Sequence, residues 1–117
     1  MTDDEPTPIF ERGDVVYGND PFKGGEKARP WLVLSNHHGR PFHGEQHIVL
    51  TLTSKSWLEG LIEIPEDGWL RGGTPDDSRI VPWGDQSIDK RDVKFWQGRL
   101  RQDLVDEAVT GLVEELQ

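Results

Sequence analysis

The sequence contains no cysteine. A disulfide framework, a thiolate zinc site and a cysteine nucleophile are therefore excluded. No apolar run approaches the roughly 20 residues that a membrane-spanning helix needs. A glycine-rich dinucleotide fingerprint, a phosphate-binding loop with its lysine and a Gly-x-Ser-x-Gly elbow are all missing. Four histidines are present, His37, His38, His43 and His47. His43 and His47 are four residues apart but flank a loop–strand junction rather than lying on a helix. They are read as loop or surface residues and not as metal ligands. No cofactor and no metal is implied. The opening stretch MTDDEPTP is acidic and proline-containing, unlike a signal peptide, so a cytoplasmic protein without a membrane association is expected.

What is present is small and acidic. A chain of 117 residues and 13.3 kDa is expected to form one domain. Residues 1–10 read as a flexible acidic tail and residues 11–117 as the domain. Hydrophobic residues are 33% and charged residues 30% of the chain, with five Trp and four Phe as candidate core fillers. The formal net charge is −9, unevenly distributed. Residues 21–43 are net +3 and residues 90–102 net +4, while the remaining segments are negative. These two basic stretches are either solvated surface or the two sides of a local anion site. With only five Lys, the acidic surface would also suit a high-salt cytoplasm.

Apolar patterning places strands at Val15–Tyr17, Trp31–Leu34, His47–Thr53 and Leu61–Ile64. Ile80–Trp83 reads as a strand whose Pro82 marks an edge or a bulge. Gly68–Asp77 reads as turn-rich, and Val93–Leu100 as a strand or a turn. A terminal helix follows, because Leu104, Val105, Ala108, Val109, Leu112, Val113 and Leu116 recur at helical spacings. Asp103 is its expected N-cap, and Gly111 costs it about 1 kcal/mol relative to Ala. Packing of this stripe on a sheet is expected, with a dimer contact as the lesser reading. Several short strands and one terminal helix indicate a mainly β, α+β protein built as a small barrel.

One spaced set of side chains could carry chemistry. Glu26-Lys27-Ala28-Arg29-Pro30 leads into the second strand, Thr53-Ser54 ends the third, and Asp85-Gln86-Ser87-Ile88 follows Ile80–Trp83. If the barrel brings these ends together, Arg29, Thr53 and Asp85 would meet. A guanidinium fixes phosphate oxygens bidentately, a hydroxyl can donate to them, and a carboxylate can accept the proton of a ribose 2′-OH. Each residue also has an ordinary reading as strand entry, strand end or turn.

The order of these segments adds a resemblance. Arg12-Gly13-Asp14-Val15-Val16-Tyr17, Arg29-Pro30-Trp31-Leu32-Val33-Leu34-Ser35-Asn36, Val49-Leu50-Thr51-Leu52-Thr53-Ser54 and Asp85-Gln86-Ser87-Ile88-Asp89-Lys90-Arg91, followed by an amphipathic helix, resemble the MazF/PemK family of toxin ribonucleases. The match runs from about Glu11 to Leu116. The resemblance implies a compact SH3-like β-barrel of the MazF/PemK/CcdB type, a homodimer, and a cognate antitoxin. It implies metal-independent, sequence-specific cleavage of single-stranded RNA by 2′-OH attack. Carried over by motif, Arg29 is the acid or charge stabiliser, Thr53 holds the scissile phosphate and Asp85 is the base. Glu26, Lys27, Ser54 and Gln86 are the implied RNA contacts. The chain departs from the family pattern in Gly25, in a shortened Glu26–Arg29 loop, and in Trp83, which stacks on a base or fills a core or interface. The rival readings are a catalytically weak barrel that binds a protein partner, antitoxin or topoisomerase, and an interaction domain with no nucleic-acid role.

Overall fold

The structure, a computed structural model, describes residues 10–20, 27–36 and 46–117. The acidic stretch 1–9, Glu26, His37, His38 and His43 lie outside the described residues. Seven strands form one antiparallel sheet: β1 Asp14–Asn19, β2 Ala28–Val33, β3 Gln46–Thr53, β4 Ile62–Glu63, β5 Trp69–Gly72, β6 Arg79–Asp89 and β7 Val93–Leu100. Their spatial order is β4-β6-β3-β2-β1-β7-β5. The sheet curls into a half-barrel closed by one helix, α1, over Gln102–Glu115. No helix among the described residues is long and apolar enough to cross a membrane.

The central strands are continuously apolar because both faces of the sheet are covered. Successive side chains point to opposite faces. Val15, Leu32, Leu50 and Leu52 therefore join Ile80, Leu100, Val105 and Ala108 in one core under α1. Val16, Trp31, Val33 and Val49 fill a second core with Ile88, against which Phe10 and Val93 pack. Trp31 is wholly buried, and its indole N–H donates to the Gly18 carbonyl at 3.2 Å. Of the other tryptophans, Trp69 is half-buried and packs against the first core, and Trp57, Trp83 and Trp96 are exposed.

The helix stripe meets the sheet as its spacing predicts, with Leu104, Val105 and Ala108 buried and Val109 and Leu112 packed at the margin. Val113 and Leu116 at its end are exposed. Gly111 has a packing reason: a Cβ there would come within 3.0 Å of the Pro82 Cβ on β6. The N-cap is Arg101 rather than Asp103. Asp103 lies in the first turn, where its carboxylate receives Arg101 Nε at 3.0 Å and Nη2 at 2.5 Å.

Three readings of the chain are corrected, and the bulge read at Pro82 is found. Gly68–Asp77 includes a strand, β5, which extends the sheet along β7. Its last residue, Gly72, has φ +65°, a conformation glycine adopts without steric cost. The segment after Trp83 is no turn, because β6 runs unbroken to Asp89. Pro82 sits in a bulge within it: between the pairs Leu50↔Asp85 and Leu52↔Ile80, residues 81–84 stand opposite Thr51 alone. The Thr51 hydroxyl donates to the Gly84 carbonyl at 2.9 Å across that bulge. His47 is neither loop nor surface. It is the second residue of β3, wholly buried, with Phe10 edge-on at 5.8 Å.

Candidate functional site

Residues 29 and 53 come from strands that are neighbours in the sheet. The β2–β3 register pairs Trp31 with Thr51, and continued two residues beyond that last pair it would set Arg29 opposite Thr53. The β2–β3 ladder begins at Trp31, directly after Pro30, which has no N–H to donate. The two strand ends therefore stand beside each other without being fastened. A cavity of about 540 Å³ opens there, lined by Arg29, Thr53 and Ser54 with Lys55, Thr74, Asp76, Ser78 and Gln97. Much of its apolar lining is one cross-strand row, with Ala28 and Pro75 beside it. Phe95 pairs with Tyr17, Tyr17 pairs with Pro30, and the continued register brings Leu52 next.

The polar groups are oriented by local bonds. Arg29 Nη1 lies 3.8 Å from Asp20 Oδ2, with the guanidinium side chain 33% exposed and the carboxylate buried. Arg29 also stands 6.0 Å from the centre of the Trp31 ring. A guanidinium has five N–H donors, so a contact through one Nη leaves donors for a second anion. The Thr53 hydroxyl accepts the Lys55 backbone N–H at 3.2 Å, which leaves its own proton to donate. Thr74 and Ser78 share a 2.7 Å hydroxyl contact, and both bond to the Asp76 carbonyl.

Other expected members of the site lie elsewhere. Asp85 is an exposed residue opposite Leu50, and it does not line the cavity. Thr53 is three residues further along β3, a separation of about 10 Å at strand rise. Thr53 pairs with Arg79, on the other side of the 81–84 bulge from Asp85. Gln86 pairs with Val49, further still from the opening. Lys27 is exposed and outside the lining. Trp83 is 43% exposed, lies outside the lining too, and covers Gly60, where a Cβ would stand 3.3 Å from its ring.

The basic stretch 90–102 does not form a cationic wall. Arg91 is held by Asp89 at 3.1 Å, Arg99 by Asp14 at 2.9 Å, and Arg101 by Asp103 and Asp67. These bonds pull the carboxyls of Asp89 and Asp103 below their usual range, chiefly through the side-chain bonds from Arg91 and Arg101. What β7 gives the cavity is Phe95 and Gln97. Among the described residues, no cluster of three or more His, Asp or Glu is placed to hold a metal ion.

Tyr17, Lys55, Asp76, Phe95 and Gln97 were not legible as site residues, and neither was the buried Asp20. Asp20 carried one usable signal, a charged residue ending an apolar strand just before a proline. Phe95 carried none, since its segment lacks a clear period.

The half-barrel with a single C-terminal helix is the architecture of MazF toxins in solved structures. A MazE–MazF structure from Deinococcus radiodurans is similar over 93% of this chain and 96% of that chain, with TM-score 0.69 and 20% identity. An endoribonuclease in complex with its cognate antitoxin from a mycobacterial species is similar over 96% and 95%, with TM-score 0.62 and 20% identity. The Mycobacterium tuberculosis toxin MazF-mt6 is similar over 86% and 96%, with TM-score 0.61 and 24% identity. No curated protein sequence gives a significant match. The model of the PemK-like, MazF-like toxins of type II toxin-antitoxin systems matches residues 11–116, and the chain belongs to that family.

Proposed function

We propose that this protein is the toxin of a type II pair and a metal-independent, sequence-specific endoribonuclease acting on single-stranded RNA, above all mRNA. The observation that carries the reading is the shared cavity of Arg29 and Thr53, residues far apart in sequence that both line one opening. Family membership and a solved relative named as an endoribonuclease support it.

In this mechanism the ribose 2′-oxygen attacks the adjacent phosphorus and the P–O5′ bond breaks. A 2′,3′-cyclic phosphate and a 5′-hydroxyl result. Arg29 offsets the charge that builds on the phosphate oxygens, and the Thr53 O–H donates to one of them. The base takes the 2′-OH proton and an acid protonates the leaving 5′-oxygen. Asp85, about 10 Å along the sheet, is poorly placed for this. Asp76, the acidic residue among the described cavity-lining residues, takes the role of base in its place. Arg29 is the acid or the charge stabiliser.

The protein works as a homodimer in the cytoplasm, and a cognate antitoxin blocks the RNA groove. Relatives solved with MazE or with a cognate antitoxin support that partner. The test is purified protein with EDTA and a long single-stranded RNA. Discrete fragments with cyclic-phosphate ends, lost in Arg29→Ala and Thr53→Ala, are expected. Asp76→Asn should reduce cleavage far more than Asp85→Asn. A protein that binds RNA but yields no fragments at any salt concentration would instead be the catalytically weak binding barrel.

A further inference from the structure

The aromatic end of the cavity has no part in the phosphate chemistry. Tyr17 and Phe95 are directly paired residues of β1 and β7, and their rings stack with centroids 5.1 Å apart and planes 20° apart. Both line the cavity that Arg29 and Thr53 share. Tyr17 is half-buried, whereas Phe95 is 53% exposed. Tyr17 therefore backs the Phe95 ring, which keeps a large apolar surface open to water beside a cationic group. Such an exposed aromatic face is the physical means by which single-strand binders hold a base without reading its edges. Arg29 on β2 and Phe95 on β7 are two strand spacings apart, about 10 Å.

We infer that the Tyr17–Phe95 pair is a stacking platform for one unpaired nucleobase flanking the phosphate held by Arg29 and Thr53. This rests on the RNA reading above and adds to it a base subsite and the residue that forms it. Stacking tolerates every base, so Phe95 sets the position of the chain rather than the identity of the base. The neighbouring Gln97 also lines the cavity, with its amide oxygen buried and without a hydrogen-bond partner.

The experiment uses a short labelled RNA spanning a cleavage site mapped with the wild-type protein. A 2′-O-methyl group at the scissile nucleotide prevents cutting, and binding is followed by fluorescence anisotropy. Phe95→Ala should weaken binding roughly 5- to 100-fold. Phe95→Leu keeps an apolar side chain without an aromatic face and should lose nearly as much, while Phe95→Trp should bind at least as well as wild type. Replacing one flanking nucleotide with an abasic residue should weaken the wild type to the level of Phe95→Ala and leave Phe95→Ala indifferent. Equal abasic losses in both proteins would overturn the platform, as would a Phe95→Leu variant that binds like wild type. In those outcomes the wild type still binds and cuts, so only the platform falls. A folded wild type that neither binds nor cuts RNA would remove the RNA reading and the platform together.

Discussion

Asp20 Oδ2 and Arg29 Nη1 lie 3.8 Å apart at the loop end of the β1–β2 hairpin. The carboxylate is buried, and its own backbone N–H donates to the Lys27 carbonyl at 2.8 Å, which ties the two strand ends together. The guanidinium is thus steered by a fixed charge rather than by its flexible stem. Asp20→Asn keeps the shape and removes the charge. It is expected to lower the RNA cleavage rate roughly 10- to 100-fold, mainly in kcat, because a small displacement of a positioned group is enough for that. Single-turnover cleavage alongside a thermal melt checks it. A variant that melts earlier yet cleaves at the wild-type rate would assign Asp20 to the fold alone.

Gly72 ends β5 with φ +65°, and a Cβ there would collide with the Gln97 carbonyl oxygen and come within 2.8 Å of the Gly98 Cα. Neither contact is a flexible side chain that could swing away. Gly72→Ala is expected to destabilise the protein by at least about 2 kcal/mol, from the left-handed conformation and the displaced backbone together. Urea unfolding measures it directly. Gly73→Ala, at a position with no atom within 4 Å of the added Cβ but with φ +156°, should cost less.

Much of the sheet was readable because burial on both faces leaves a distinctive pattern. Trp31-Leu32-Val33 is continuously apolar since alternate residues enter different cores. The α1 stripe was readable for the opposite reason, as only one face of the helix is covered. Breaker residues hid the rest. Pro82 and Gly84 suggest an end to β6, yet the strand absorbs them as a bulge bonded to Thr51. Asp85 pairs with Leu50 on the far side of that bulge, three residues from Thr53, so a triad assembled from segment order puts the carboxylate in the wrong place. Local patterning contains no term for such a register shift. Arg29 and Thr53 needed only the simple β2–β3 hairpin register, whereas the Phe95–Tyr17 pair depends on β1 lying between β2 and β7, a topology that no local pattern encodes.

The first turn of α1 contains a pH-sensitive contact. The carboxyl of Asp103 lies below its usual 3.8, chiefly because Arg101 bonds to it, and the Arg101 guanidinium is correspondingly held in its charged form. A carboxyl whose folded value is depressed contributes stability that is complete above its unfolded value, near 3.8, and is lost as the pH falls through the lower folded value. Asp89, held by Arg91, follows the same sign. Arg101→Ala should move the Asp103 titration up toward 3.8, as read by carboxyl NMR, and flatten the acid limb of stability below that pH. Asp103 titrating unchanged in that variant would show that the bond is not kept in solution.

Salt should act on the fold and on RNA binding in opposite directions. The chain carries a net charge of −9, so its like charges repel in the compact state. Raising KCl from about 0.01 M to 1 M shortens the screening length from about 30 Å to about 3 Å, and the melting temperature is expected to rise over that range. RNA binding should weaken over the same range, because bound phosphates release counterions with a log–log slope of about −0.7 each on a single strand. Among the described residues the cavity presents two cations, Arg29 and Lys55, while Arg91, Arg99 and Arg101 are held by carboxylates. The expected slope is therefore shallow, between about −0.7 and −1.4. Anisotropy titrations across the KCl series measure it, and Lys55→Ala should reduce its magnitude by about half. A slope steeper than about −3 would mean that arginines paired in the unbound protein turn to the RNA. A melting temperature that stays flat or falls with KCl would show that the excess negative charge is already balanced by the local ion pairs.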